Sequence, residues 1–172
     1  MKRASAVAFI FLVISIVPAF LLGKGQMLKI TIQGADLAAP VETSEAIIGK
    51  FNIWAGPGVF VNGVEQTEGF IIEWSKGIVP RPSASLQQYE VHFYSDFRKK
   101  EGSVVYAVLY SYDPSAEQGF VYLPGRADEL SKFNMAILHG HGLEGNWFNA
   151  TAEWERFVRP LIAKAKAVNI RH

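Results

Sequence analysis

Val104-Val105-Tyr106-Ala107-Val108-Leu109-Tyr110-Ser111-Tyr112 is β-branched or aromatic almost throughout. Residues of that kind favour a pleated, packed strand. Both alternating sets are apolar, so the run predicts a central strand covered on both sides, or with one face feeding a groove. Upstream, Tyr89, Val91 and Phe93 alternate with Glu90, His92 and Tyr94, which predicts a strand buried mainly on one face. Arg98 to Gly102 reads as the polar turn between the two. Downstream, Asp113-Pro114 and Gly119 bracket a turn, and Phe120 to Leu123 reads as a short strand. Lys132 to Leu138 alternates again, with Phe133, Met135 and Ile137 on one side. Short connections between such runs imply an antiparallel meander.

Further out, Met27 to Gln33 alternates Leu28, Ile30 and Ile32 with Lys29, Thr31 and Gln33, as a half-buried strand does. After a turn-rich stretch to Pro40, Thr43 or Ser44 is placed to cap a short helix through Ile48, stopped by Gly49. Phe51 to Trp54 is apolar and enters the loop signal Gly56-Pro57-Gly58. Val59 to Glu68 mixes apolar and turn residues and takes no assignment. Phe70, Ile72 and Trp74 predict another strand, and Lys76 to Ser85, with Gly77, Pro80 and Pro82, a surface connection. At the C-terminus, Trp154, Phe157, Val158, Leu161, Ile162 and Ala165 form one helical stripe, capped by Asn149 or Thr151. Glu155 and Arg159 read as an i, i+4 pair on the wet face. Pro160 predicts a kink or a break, because it removes the N–H that would bond the carbonyl of Arg156. The expected fold class is α+β: an antiparallel sheet with a C-terminal amphipathic helix packed on it, in a single globular domain over 27–172.

Met1-Lys2-Arg3 followed by an uncharged stretch from Ala4 to Gly23 has the layout of a secretory signal peptide, with a candidate cleavage site after Ala19. The alternative for residues 1–23 is an uncleaved anchor, since about 20 apolar residues just span a bilayer core. Both readings place the rest of the chain outside the cytoplasm, periplasmic or secreted, or tethered to the membrane through this segment alone. Cleavage would remove Lys2 and Arg3, leaving 15 of 17 basic residues against 16 acidic ones and turning the formal charge from +1 to −1. A near-neutral domain of about 150 residues has a real core and no electrostatic reason to bind nucleic acid. Cysteine is absent, so an exported chain relies on packing alone and offers no thiol for an N-terminal lipid.

Several phrases resemble an uncharacterised family of bacterial exported proteins. They are Phe51-Asn52-Ile53-Trp54-Ala55-Gly56-Pro57-Gly58, Tyr122-Leu123-Pro124-Gly125, Glu144-Gly145-Asn146-Trp147, and the Ala152 to Leu161 segment with Trp154 and Pro160. The resemblance covers most of the chain beyond the leader. It implies no activity and no site residue.

Two constellations have chemical potential. In His139-Gly140-His141 an extended backbone would project both imidazoles to one face, towards a metal that Glu144, and His92 from another strand, would help to hold. The opposing reading is a pair of loop histidines after a strand, since zinc takes three or four ligands and the rest are unspecified. Tyr106, Tyr110 and Tyr112, with Val104 and Val108, share one face of the central run, and Trp54 and Trp74 are placed to join them as a sugar- or peptide-binding surface. The opposing reading is a core layer under the helix. Glu73, Glu90 and Asp96 are candidate paired carboxylates, against the opposing reading of solvated sheet-face charge that any half-exposed sheet carries. There is no G-x-S-x-G elbow and no thiol nucleophile. Asn149-Ala150-Thr151 fits a glycosylation sequon and a helix cap alike. No cofactor is expected. The leading functional reading is therefore an exported domain that binds a small ligand, glycan or protein partner without catalysis. The alternatives are a metal-assisted enzyme centred on His139 and His141, and a membrane-tethered structural envelope protein.

Overall fold

The computed structural model describes residues 26–43, 45–96, 102–136 and 142–169. The leader at 1–23, the Ser44 cap, the Arg98-Lys99-Lys100 turn and the His139-Gly140-His141 motif lie outside these described residues. The strands are β1 (Met27–Gln33), β2 (Val41–Glu42), β3 (Phe60–Val61), β4 (Val64–Glu65), β5 (Ile78–Val79), β6 (Gln88–Ser95), β7 (Ser103–Ser111), β8 (Phe120–Tyr122) and β9 (Trp147–Asn149). Two α-helices, α1 (Glu45–Ile48) and α2 (Ala152–Asn169), and 3-10 turns at Trp74–Lys76 and Glu129–Ala136 complete the order. Seven strands form one antiparallel sheet in the order β2-β1-β6-β7-β8-β9-β5. The fold is α+β, and β7, the run on which the sequence reading turned, is its central strand.

β6 to β9 are a meander, but β5 pairs with β9 at the far edge from β1 and β2. The chain between β2 and β5 therefore crosses the whole sheet, and it does so through the core. Phe51, Ile53, Phe70, Ile71 and Ile72 on this crossing are all buried. The crossing and α2 cover the same face of the sheet. Phe70 meets Phe93 and Tyr106 at ring-centroid distances of 5.6 and 5.4 Å, while Trp154 of α2 meets Tyr110 edge-on at 5.9 Å. Thr151 caps α2, its Oγ1 accepting the Trp154 N–H at 3.1 Å. The break expected at Pro160 does not occur, and the helix runs on to Asn169. Pro160 is exposed while Trp154, Val158 and Ile162 anchor the buried side on both flanks, so packing holds the helix across the lost bond.

Three local expectations are corrected, and one unassigned stretch gains a structure. Phe70 to Trp74 is not a strand: Phe70, Ile71 and Ile72 are buried on all sides, and only Ile72 makes a bridge, to Ala150, before the 3-10 turn. The described part of the Lys132 to Leu138 run, 132–136, is not a strand either but part of the 3-10 helix Glu129–Ala136. Val59 to Glu68 holds the β3–β4 hairpin, turned by Asn62 and Gly63 at φ 52° and 80°. Asn-Gly with both residues left-handed is a type I′ turn, matched to strand twist. A bulge between Phe93 and Tyr94 sets Tyr94 opposite Val104, which takes Val104 off the Tyr106 face.

The 3-10 helix repairs a gap. β8 pairs only with Leu109 to Ser111, which leaves the rest of β7 without a neighbour on that side. Asn134, itself buried, supplies one: its Oδ1 accepts the Ala107 N–H at 2.7 Å and its Nδ2 donates to the Ala107 carbonyl at 2.8 Å. The side-chain amide thus imitates a strand peptide. Asn134→Ala is expected to lower the unfolding free energy by about 1–3 kcal/mol, because a buried N–H and C=O lose their partners together. Urea unfolding monitored by Trp fluorescence measures it, and an unchanged midpoint would mean that water replaces the amide.

Candidate functional site

The tyrosine stripe is core. Tyr106, Tyr110 and Tyr112 are 2%, 0% and 7% exposed beneath α2 and the crossing segment. Their rings are also engaged inside the protein, and the Tyr110 hydroxyl with them. Tyr110 donates to Glu155 Oε2 at 2.8 Å, and burial together with the Glu155 charge pushes its hydroxyl pKa far up, so it stays a donor. Tyr112 stacks on Tyr110 and Tyr89, with the Arg159 guanidinium 4.8 Å above its ring. Trp54 is half-buried in the crossing, and Trp74 stacks on Phe70 at 6.0 Å. Of the two readings of the stripe, the core layer holds for Tyr106, Tyr110 and Tyr112 and the binding surface does not: these rings fill the layer between sheet and helix, while Trp54 is half-buried beside it.

Glu155 and Arg159 also differ from expectation. They are paired, but Glu155 is 6% exposed, not on the wet face. The β7–β8 connection folds over the pair, and Arg159 Nη1 donates to the carbonyls of Asp113 and Ala116.

A second brace ties α2 to the turn after β1. Asp36 Oδ2 accepts from Lys166 at 2.7 Å and from the Tyr89 hydroxyl at 2.9 Å. Burial opposes ionisation of Asp36, yet the hydrogen bonds from Lys166 and Tyr89 outweigh it and hold the carboxyl below its ordinary value of 3.8. A folded-state value below the unfolded one stabilises the fold above the unfolded pKa, and that stabilisation is lost as pH falls through the folded value. Asp36→Asn is thus expected to flatten the loss of stability between about pH 5 and pH 2. Unfolding midpoints of both proteins across that range test it, and parallel curves would remove Asp36 from the acid response.

Of the metal candidates, His139 and His141 lie outside the described residues, while Glu144 is half-buried in the turn before β9. Burial first, then the Glu144 charge, raises the Tyr106 pKa, so this carboxylate sits within electrostatic reach of that ring. His92 is buried on β6, its Nε2 2.9 Å from Glu90 Oε2 and its ring 5.7 Å from Phe133. Among the described residues no group of three His, Cys, Asp or Glu side chains is placed to hold a metal ion. The three candidate carboxylates accept from separate local donors: Glu73 from Ser75, Glu90 from Gln33, Asp96 from the Gln26 N–H.

The opposite face of the sheet carries what the sequence reading missed. Register places Gln33 across from Glu90, Glu90 from Leu109, Leu109 from Tyr122, Tyr122 from Trp147, and Trp147 from Val79. Directly paired residues share a face, so these form one transverse row across six strands, pointing away from α2. At about 4.8 Å per strand the row is roughly 24 Å long. It runs from an amide and a carboxylate, through an aliphatic centre, to an aromatic pair with centroids 5.1 Å apart. Two clefts follow it. One, of about 370 Å³, has Gln33, Gly34 and Glu90 in its wall; the other, of about 450 Å³, has Arg81, Tyr122, Asp128, Asn146 and Trp147. Gln88 and Leu109 line both, so the clefts lie side by side with these two residues as their common wall. Asp128 is held in place by the Tyr122 hydroxyl and the Gly125 N–H at 2.8 and 2.6 Å. The exposed Gln88 side chain makes no hydrogen bond among the described residues. The outward alternation of β6 was legible, but a row spanning six strands needs the register, and β9 is only three residues long.

Comparisons with known protein families, with curated proteins and with solved structures gave no match.

Proposed function

We propose that this chain is an exported binding domain, without catalysis, that takes an elongated hydroxyl-rich ligand such as an oligosaccharide along the open sheet face. The observation that carries this reading is the row from Gln33 to Val79, set by the strand register, with two adjacent clefts that share Gln88 and Leu109. Amides and carboxylates offer the paired donors and acceptors that vicinal hydroxyls use, and Tyr122 supplies an apolar ring edge beside them. Clefts of this size lie in the range of small-ligand sites. Export rests on the basic Met1-Lys2-Arg3 and the uncharged stretch behind it. Cell fractionation with N-terminal sequencing tests it, and a cytoplasmic product with an intact leader counts against it.

The binding test is a panel of soluble oligosaccharides measured by calorimetry. Gln88→Ala is expected to weaken the ligand that binds by about fivefold, the worth of one hydrogen bond. Gln88→Trp, which enlarges the wall that the two clefts share, abolishes binding while leaving the unfolding midpoint in place. Retention of full affinity by Gln88→Trp, or no binding across the panel, sinks the proposal.

A further inference from the structure

The β3–β4 hairpin is the most conspicuous apolar surface among the described residues. Phe60 and Val64 are each 63% exposed, and Val61 is exposed as well. Such side chains usually turn inward in a hairpin, and a cluster of them on a protrusion marks a contact surface. The hairpin is also braced by hydrogen bonds. Its base is closed by Gln66 N–H to the Val59 carbonyl at 2.7 Å and Gly56 N–H to the Gln66 carbonyl at 2.6 Å. Glu65 Oε1 accepts the Gly58 N–H at 2.7 Å, which leaves its other oxygen open. Phe60 and Glu65 are direct cross-strand partners and project from the same face, an aromatic ring beside a carboxylate. A preformed prong loses little conformational entropy when it docks.

The same molecule carries a matching recess. A cleft of about 330 Å³ between α1 and α2 has Ile47, Phe51 and Phe157 as its apolar wall and Lys50, Glu153 and Arg156 at its rim. The Phe51 and Phe157 rings are 5.7 Å apart. Lys50 is paired with Glu153 at 3.3 Å, whereas Arg156 has no ion-pair partner among the described residues. The prong therefore presents an apolar ring and an open acidic oxygen, and the recess an apolar wall and an uncommitted guanidinium. We infer that the hairpin of one chain docks in the α1–α2 cleft of a second copy, with Phe60 against Ile47 and Phe157, over the buried Phe51, and Glu65 facing Arg156.

The chain has no cysteine, so single introduced thiols report only on contacts between copies. Two differently tagged full-length chains are co-expressed, one Val64→Cys and the other Glu153→Cys, and treated with a short bis-maleimide. The heterodimer is expected to exceed that from Val64→Cys with Ser85→Cys by about tenfold. Adding Phe60→Asp, which sets a charge against the apolar wall, or Arg156→Glu, which sets like charges across the contact, lowers the yield to that control level. Glu65→Arg paired with Arg156→Glu recovers it, which misfolded chains would not do. Equal yields from the two cysteine pairings, or indifference to Arg156→Glu, overturn the inference. So does a Val64→Cys chain that links only to other proteins.

Discussion

Glu155→Ala is expected to lower the unfolding free energy by about 3–5 kcal/mol, the range for removing one partner of a buried ion pair. Three donors converge on this carboxylate: the Tyr110 hydroxyl at 2.8 Å, the Gly119 N–H at 2.9 Å, and Arg159 Nε. Alanine leaves all three without an acceptor in a site from which water is largely excluded. Burial works against the Arg159 charge, and the hydrogen bond to Glu155 reverses that, holding the guanidinium pKa above its ordinary value. Without the carboxylate the desolvation is opposed only by Tyr110 and by the Asp113 and Ala116 carbonyls. The site also cannot collapse around the loss. A Cβ on Gly119 would lie 2.8 Å from Glu155 Oε1 and 2.8 Å from the Ser111 carbonyl, so this backbone is already at closest approach. Glu155→Gln keeps one acceptor and is expected to cost about half as much. Domains of this kind are stable by about 5–15 kcal/mol in total, so the alanine variant stands near its unfolding threshold at 37 °C. The urea midpoint at constant slope gives the value. A solvated i, i+4 pair is worth about 0.2–0.5 kcal/mol, so a loss below 1 kcal/mol would restore the surface reading.

That tenfold gap shows where the sequence stops being informative. Helical spacing puts Glu155 and Arg159 one turn apart, and nothing in spacing says that the β7–β8 connection will fold over them. Elements set by local period were legible: β1, β6, β7, β8, the Thr151 cap and the stripe on α2. Elements set by long-range partners were not. Asn134 reads as a polar residue in an alternating run, and its role depends on β8 being too short to cover Ala107. The Asn62-Gly63 turn carried a strong local signal that the apolar flanks, unusually exposed, obscured. The tyrosines could be recognised as one face of β7, but whether that face met solvent or α2 was a tertiary matter. The row from Gln33 to Val79 is the extreme case. Each residue sits on the face of its strand away from α2, with Trp147 itself buried there, and only the register of five strand pairings aligns them.

Trp154→Ala is the companion test of the core, with an expected loss of about 3–5 kcal/mol. Trp154 is fully buried and lies edge-on to Phe51 at 5.3 Å and to Tyr110 at 5.9 Å. It is the point where the crossing segment, the central strand and α2 meet, so a void there loosens three elements at once. The surrounding rings are rigid and cannot fill it, which places the loss at the upper part of the range. Trp154→Phe separates volume from polarity. The indole Nε1 is buried and makes no hydrogen bond to oxygen or nitrogen, a state that itself costs about 1–3 kcal/mol. Phenylalanine creates a smaller cavity and removes that donor, so its net loss is expected to be no more than about 1 kcal/mol. Chemical denaturation of the two variants beside the parent decides the matter. If Trp154→Phe costs as much as Trp154→Ala, the indole nitrogen is satisfied in solution and the packing at this junction depends on the indole rather than on ring volume alone.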